Sequence, residues 1–274
     1  MDILEEIIAW KRREVGMFKE AVPSTVLYNK VEGLQDVAVP SMRDALMTSD
    51  SGIIAEFKRR SPSKGWIRED GDAAVIPSDY QKNGASAVSI LTDTKFFGGS
   101  DGFVKTARRS GLTLPVLYKN FVVDEYQLFQ ARACGASAVL LIAAVLSRAD
   151  CSALMRTAHE IGLEVLLEIH GVEELEYLDD EPDMCGVNNR NLGTFVTDVQ
   201  NSFMLAGRLP RGMCRVSESG IGSAGTVCML REAGFNGFLI GESFMREPVP
   251  GEALRRFLIS MAQVAGDGSK IVYQ

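Results

Sequence analysis

The 274-residue chain is long enough for one large α/β domain or two small ones. Apolar residues make up 46% and charged residues 24%, and the net charge of −7 argues against nucleic acid as a partner. No apolar run is long enough to cross a bilayer, and the amphipathic, acidic N-terminus is not typical of a signal peptide. The five cysteines form no Cys-x-x-Cys pair, and with two histidines they offer no metal-ligand cluster. We expect a cytoplasmic protein with no metal, no nucleic-acid partner and no membrane partner.

The first segment of the chain has a helical pattern. Apolar residues recur at helical spacing over residues 2–20. Ser41 to Asp44 match a capping box, which predicts a second short helix. Because these segments precede the first predicted strand and are too short for a domain, we interpret them as a lid or packing extension. The predicted organisation is one domain, with a helical extension over 1–50, a barrel over 51–265 and a tail over 266–274.

A repeated pattern then predicts the fold. Gly84, Gly135 and Gly234 each lie where a helix end needs a positive φ, and an apolar strand follows each of them. Two looser versions occur at Gly111 and Gly162, and three further segments bring the number of predicted strands to eight, which is the count of a closed (β/α)8 TIM barrel. The strands lie within residues 53–58, 83–91, 114–119, 134–142, 164–169, 184–188, 215–219 and 233–240. The alternative is an open doubly wound sheet, but its Gly-x-Gly-x-x-Gly fingerprint does not occur.

The first strand carries opposite charges two residues apart. Since side chains alternate along a strand, Glu56 and Lys58 share one face while Ala55 and Phe57 share the other. If the apolar pair faces covering helices, the charged pair must point into the barrel, where burial is costly without partners or a ligand. The alternative is a surface ion pair on an edge strand.

Other polar residues lie at the C-terminal ends of the predicted strands, where TIM barrels carry their active sites. Such residues on several strands predict an acid–base site. They are Glu56, Lys58, Lys119, Glu168, Asn188 and Arg190. We interpret His170 as a structural histidine that faces away from Glu168, and His159 as a helical residue without a recognisable partner.

The last two strand ends are small and rich in glycine. Ser219 with Gly220 and Gly241 with Glu242 offer backbone N–H groups, which predicts a phosphate site. The alternative is a pair of tight turns. Phe97 and Phe121 follow the second and third strands, where contact with a flat ligand is more natural than a core role.

Seven runs of sequence resemble the indole-3-glycerol-phosphate synthase family of tryptophan biosynthesis. They cover nearly the whole chain: residues 54–65, 91–100, 115–121, 167–169, 186–192, 217–221 and 239–245. The resemblance implies a single barrel, with an extension across its mouth, that uses no cofactor. It also implies a small phosphorylated substrate, whose ring closure proceeds with loss of CO2 and water.

The resemblance further implies roles for individual residues. Lys119 is expected to be the general acid and Glu168 its partner acid or base. Other catalytic positions are Glu56 and Asn188, which position the substrate, Lys58 and Arg190, which hold its carboxylate, and Ser219. Substrate-binding positions are Ser61 in the mobile loop after the first strand, and Phe97, Phe121, Leu140, Leu192 and Leu239 around the aromatic ring. Phosphate-binding positions are Ser219, Gly220, Gly241 and Glu242.

Two residues depart from the family pattern: Asn120 stands where many members have Asp, and Tyr118 where other side chains are common. Neither is expected to abolish activity. Alternative functions are another phosphate-binding barrel, such as phosphoribosylanthranilate isomerase or the tryptophan synthase α subunit, and a non-catalytic phosphosugar-binding protein. No cysteine ends the first strand as the isomerase would require, and the intact polar set argues against loss of catalysis. We expect a monofunctional protein and a monomer.

Overall fold

The computed structural model describes residues 3–34, 36–191 and 193–271, with side chains described up to residue 266. Over these residues, eight parallel strands close into a barrel in which each strand pairs with its neighbours in the chain and β1 also pairs with β8. The strands are β1 (Ile53–Phe57), β2 (Ala87–Leu91), β3 (Val116–Lys119), β4 (Ala138–Ile142), β5 (Glu164–Ile169), β6 (Met184–Asn188), β7 (Cys214–Glu218) and β8 (Gly237–Ile240). The predicted TIM barrel is confirmed.

Helices cover the outside of the barrel and precede its first strand. They are α1 (Ile3–Ala21), α2 (Ser24–Glu32), α3 (Met42–Thr48), α4 (Ile76–Lys82), α5 (Asp101–Arg109), α6 (Glu125–Cys134), α7 (Arg148–Glu160), α8 (Gln200–Ala206), α9 (Ala224–Glu232), α10 (Glu242–Met245) and α11 (Pro250–Ile271), with a 3-10 helix over Val172–Asp180. The boundary predicted at residue 265 falls inside α11. None of the described helices is long and apolar enough to cross a membrane.

The glycine stops have the conformation that the sequence predicts. Gly84, Gly135 and Gly234 have φ values of 95°, 95° and 96°, in the left-handed region that favours glycine. Each ends a helical turn and lets the chain enter the next strand. The repeated pattern therefore reports the turn chemistry of strand–helix units.

The first strand alternates as predicted. Ile54 packs with the apolar residues inside the barrel, whereas Ala55 and Phe57 pack in the layer between strands and helices. Glu56 consequently points inward and is buried, with 3% of its surface exposed. A surface ion pair on an edge strand is excluded.

The N-terminal segment contacts both ends of the barrel. Met42 and Leu46 of α3 pack into the interior cluster, and the Glu164 carboxylate at the start of β5 accepts the Met42 N–H at 2.6 Å. The predicted cap is present, since the Asp44 N–H donates to Ser41 Oγ at 3.0 Å. Helix α1 instead reaches the opposite end, where its first turns line the cavity described next.

Candidate active site

A cavity of about 630 Å³ lies at the C-terminal ends of the strands. Every predicted site residue among those the structure describes lines it: Glu56, Lys58, Ser61, Phe97, Lys119, Phe121, Leu140, Glu168, Asn188, Arg190, Ser219, Gly220, Leu239, Gly241 and Glu242. Leu192, the remaining one, is outside the described residues. The structure thus brings residues from all eight strands, or from the loops that follow them, into one cavity, although their roles remain predictions.

Lys119 at the end of β3 lies between two buried carboxylates. Its Nζ is 3.4 Å from Glu168 Oε2 and forms a short ion pair with Glu218 Oε2. Glu168 is oriented by a second contact, because Asn188 Nδ2 donates to its Oε1 at 3.1 Å. The ammonium group therefore reaches the cavity with two alternative carboxylate partners behind it.

The charges and the burial in this cluster shift the pKa values of Glu168 and Glu218 in opposite directions. Burial acts to lower the pKa of Lys119, but Glu218, Glu168 and Glu56 outweigh it and raise the pKa above its ordinary value. Burial also raises the pKa of Glu218 to about 7, with Glu168 adding to the effect and Lys119 opposing it. For Glu168, Lys119 and His170 outweigh burial and hold the pKa below its ordinary range. Near neutral pH this cluster thus contains the Lys119 ammonium group, the Glu168 carboxylate and the Glu218 carboxyl group, which exchanges its proton.

A second charged pair lies on β1 and the loop after it. Lys58 Nζ is 2.5 Å from Glu56 Oε1, and Ser89 Oγ of β2 is 3.4 Å from Glu56 Oε2. Burial acts to raise the pKa of Glu56, but Lys58 and Lys119 outweigh it, so the pKa lies below its ordinary value. Glu56 is therefore a carboxylate at neutral pH, paired with Lys58 and further stabilised by the charge of Lys119.

Arg190 connects the loop after β6 to the loop after β1. Its Nη1 donates to Ser63 Oγ at 2.8 Å, and its backbone N–H donates to Asn188 Oδ1 at 3.0 Å. A guanidinium group in this position suits a carboxylate ligand, since its planar donors match two oxygens. Lys58 lines the same cavity.

The two glycine-bearing turns bring backbone close to the cavity. Ser219 and Gly220 have consecutive positive φ values of 67° and 73°. A Cβ at Gly220 would lie 2.6 Å from the Thr197 side chain, and a Cβ at Gly241 would lie 2.8 Å from Glu56 Cβ. Neither position has space for a larger residue, so the backbone itself forms these parts of the wall.

Apolar side chains complete the cavity. The Phe97 and Phe121 rings lie 6.0 Å apart at 41°, and Leu140 and Leu239 belong to the apolar cluster inside the barrel. Helix α1 adds three residues that the sequence interpretation did not include: Ile3, Leu4 and Ile7. These surfaces suit a flat, apolar group.

Glu218, which forms an ion pair with Lys119 in the cavity, is absent from the predicted site residues. Glu218 was passed over because the end of β7 was placed at Ser219. The signal was present, since Cys214 and Val216 point into the barrel and the next residue of the same parity is Glu218. Applying the alternation to β7, as to β1, would have identified it.

The interpretation of His170 was wrong. His170 lies two positions after Glu168 along the chain, so the two side chains share a face, and His170 Nε2 lies 3.4 Å from Glu168 Oε1. His159 does have a partner, because its Nε2 is 2.9 Å from Asp183 Oδ2. Both histidines therefore pair with carboxylates.

The buried acidic side chains of the cavity have lysines as partners. Within the described residues, no group of three or more His, Cys, Asp or Glu side chains is arranged to hold a metal ion. Lysine is a poor metal ligand, and lysines partner the carboxylates of the cavity. The donor set suits acid–base chemistry.

Residues 4–257 match the sequence model of the family described as indole-3-glycerol phosphate synthase. A protein of that name from Bacteroides thetaiotaomicron is 57% identical over 94% of this chain and 98% of its own length. Another, from Aromatoleum aromaticum, is 42% identical over 93% and 98%. The chain belongs to the indole-3-glycerol phosphate synthase family. The recognised resemblance is confirmed.

Solved structures with low identity share the fold of this family member. A 3-hexulose-6-phosphate synthase from Salmonella typhimurium has a TM-score of 0.61 at 14% identity, covering 77% of this chain and 99% of its own. A tryptophan synthase α-subunit from Pyrococcus furiosus has a TM-score of 0.60 at 16% identity, covering 79% and 100%. At such identities the likeness concerns the barrel alone, so the family assignment rests on the sequence relatives.

Proposed function

We propose that this chain closes the indole ring of 1-(2-carboxyphenylamino)-1-deoxyribulose 5-phosphate, releasing CO2 and water and forming indole-3-glycerol phosphate. The reaction is a carboxy-lyase step of tryptophan biosynthesis. The observation that carries the proposal is the Lys119 ammonium group, which lines the cavity between two buried carboxylates and alongside apolar walls. Family membership supports the same reaction.

The first chemical step joins the aromatic ring to the sugar ketone. The ring carbon that bears the carboxylate attacks the ketone carbon, and the carbonyl electron pair moves to oxygen. Because the ring is a weak nucleophile, that oxygen must receive a proton as the bond forms. Lys119 is suited to supply it, since its carboxylate partners keep it protonated near neutral pH.

The later steps remove CO2 and water. Cleavage of the carboxylate bond returns its electron pair to the ring, which restores aromaticity. The new hydroxyl then accepts a proton and leaves as water. Loss of a proton from the neighbouring ring carbon forms the indole double bond. Glu168, held as a carboxylate, can accept a proton, and Glu218, with a pKa of about 7, can accept or donate one.

The two ends of the substrate have different binding surfaces. We assign the phosphate to the backbone N–H groups at Ser219–Gly220 and Gly241–Glu242, supported by their close approach to the cavity. We assign the carboxylate to Lys58 and Arg190. The aromatic ring would then lie against Phe97, Phe121, Leu140 and Leu239.

A direct assay tests the proposal. The synthetic substrate is incubated with the purified protein, and formation of indole-3-glycerol phosphate is followed by ultraviolet absorbance or fluorescence. We expect product and one CO2 per turnover, with no turnover of phosphoribosylanthranilate. Tight substrate binding without product would instead identify a phosphosugar-binding protein and reject the enzymatic function.

We also infer a cytoplasmic location and a monomeric state. All five cysteines are free thiols in the described structure, and four of them are buried, which suits a reducing compartment. Light scattering after size exclusion measures the mass, and 29.9 kDa is the monomer value. A mass of twice this value would contradict the monomer.

A further inference from the structure

The His170 imidazole lies between two carboxylates just behind the site. It follows β5, and its Nε2 is 3.4 Å from Glu168 Oε1 while its Nδ1 is 3.6 Å from Glu174 Oε2. Glu174 belongs to the 3-10 helix and also accepts the His170 backbone N–H at 2.6 Å. The side chain is 16% exposed, so water screens these contacts weakly.

The two oxygens of Glu168 have separate surroundings. Oε1 accepts Asn188 Nδ2 and faces His170, whereas Oε2 faces Lys119. Contacts to Oε1 therefore fix the plane of the carboxylate, and that plane decides whether Oε2 is directed at the ammonium group.

We propose that His170, as an imidazolium, is a positioning residue that holds Glu168 ionised with Oε2 directed at Lys119. The inference rests on the proposed function, in which Glu168 accepts a proton during ring closure. His170 acts through Glu168, because among the described residues that line the cavity Glu168 is present and His170 is not.

The charges around His170 favour its protonated form. Burial acts to lower its pKa, but Glu174, Glu168 and Glu218 outweigh burial and raise the pKa above its ordinary value. These three carboxyl groups face it from the 3-10 helix, β5 and β7. From α8 it meets a neutral amide, since Asn201 Nδ2 donates to the His170 carbonyl oxygen at 3.0 Å.

The coupling is reciprocal. A protonated His170 lowers the proton affinity of Glu168, and an ionised Glu168 raises that of His170. Replacing His170 with a neutral residue should raise the pKa of Glu168, so the acid limb of the kcat profile should move to higher pH. A role confined to folding would not move this limb.

Kinetics of His170→Gln measure the first effect. Glutamine keeps an amide donor without the charge. We expect the acid limb to move up by about one pH unit, lowering kcat roughly tenfold on its acid side and less than threefold at pH 8. KM should stay within about twofold because substrate contacts are unchanged. His159→Gln is the matched control, since its partner is Asp183, and its profile should equal that of the unchanged protein.

Imidazole NMR titration gives a readout that does not depend on turnover. The chain has two histidines, so His159→Gln assigns the His170 resonances. We expect a His170 pKa above 6.5, lowered by Glu168→Gln and by Glu174→Gln. If these shifts appear in a protein that makes no product, the proposed reaction fails and the coupling stands. If Glu168→Gln leaves the His170 titration unchanged, or His170→Gln leaves the acid limb in place, the positioning role is wrong.

Discussion

Two lysines in this protein, the buried Lys11 and the partly buried Lys119, have similar partners and different surroundings. Lys11 of α1 lies 2.6 Å from Asp93 Oδ2 and 2.5 Å from Glu14 Oε2. Lys119 of β3 likewise contacts two carboxylates, those of Glu168 and Glu218. Judged by ion pairs alone, the two clusters are equivalent.

The difference is what surrounds each cluster. Asp93 Oδ1 accepts the Phe96 and Phe97 N–H groups at 2.7 and 3.2 Å, so this cluster ties α1 to the loop after β2. Among the described residues that line the cavity, Lys119 and its two carboxylates are present, while the three charged residues of the Lys11 cluster are not. A lysine between carboxylates is therefore not in itself a sign of catalysis. Contact with the cavity is what distinguishes Lys119 from Lys11.

Replacing the cavity lysine should have the largest effect. We expect Lys119→Met to lower kcat by about 10²–10⁴-fold with little change in KM, because the proton donor is lost while phosphate and carboxylate contacts remain. Single-turnover kinetics and a melting curve measure rate and stability separately. A near-normal rate in the folded variant would assign Lys119 a structural role like that of Lys11.

Glu168→Gln is the companion variant to Lys119→Met, because it removes the proposed proton acceptor but keeps the approximate shape. It should lower kcat by about 10²–10⁴-fold as well. Both variants should retain the fold, although Lys119→Met should also lower the free energy of unfolding, because it leaves the buried Glu168 and Glu218 without their ammonium partner. Loss of stability with an unchanged rate would identify a structural ion pair at the rim.

Replacing Lys11 should lower the stability of the protein and leave its rate nearly unchanged. Lys11→Met leaves two buried carboxylates without their ammonium partner, which should lower the free energy of unfolding by about 3 kcal/mol. The rate of the folded protein should stay within a few-fold of normal. Denaturant unfolding and kcat are measured on the same samples.

A second substitution tests the pairing. Adding Asp93→Asn to Lys11→Met should cost less than the sum of the single changes, because the unpaired charge is removed. Additive losses would show that the two residues act independently. A large fall in kcat at constant stability would mean that the Lys11 cluster takes part in the reaction. The two lysines would then not differ in function as proposed.

The same contrast shows what the sequence could and could not provide. The glycine stops predicted five of the eight strands, because a helix end that needs a positive φ is a matter of local turn chemistry, and short strand-like segments predicted the other three. Strand parity also placed Glu56 inside the barrel, and it would have placed Glu218 and His170 if applied to their strands. The Lys11–Asp93 pair had no such signal, since it depends on how α1 packs across the barrel mouth. Local rules identify side-chain direction, whereas contacts between distant segments need the fold.

The pH dependence of stability should reveal the difference in pKa between Glu168 and Glu218, the two carboxyl groups around Lys119. The pKa of Glu218 is raised above its unfolded value to about 7, so its stabilising contribution is complete below the unfolded pKa and is lost as pH rises through 7. Glu218→Gln should remove this loss, giving a flatter dependence between about pH 5 and 7. Unfolding by urea at several pH values measures it. An unchanged slope in the variant would show that Glu218 ionises normally.

The smallest effect concerns Asn120, one of the two residues expected to depart from the family pattern. Asn120 Nδ2 donates to Thr92 Oγ1 at 2.9 Å and faces Tyr118 Oη at 3.4 Å, while Tyr118 Oη donates to Asp101 Oδ1 at 2.7 Å. Because the Tyr118 hydroxyl donates its proton to Asp101, the side chain at position 120 can form a hydrogen bond with Tyr118 Oη only as a donor. The amide of Asn120 suits the tyrosine, and an aspartate would place an acceptor against it.

We therefore expect Asn120→Asp to lower the free energy of unfolding by about 1 kcal/mol, since one buried hydrogen bond is replaced by facing oxygens. The kcat should change by less than about threefold, because the carboxylates that contact Lys119 directly are unaltered. Combining the change with Tyr118→Phe removes the clash, so the pair should cost less than the sum of the single changes. A change in kcat of tenfold or more would mean that a carboxylate that does not contact Lys119 also affects the reaction. Direct contact with carboxylates in the cavity would then no longer distinguish the proposed role of Lys119 from that of Lys11.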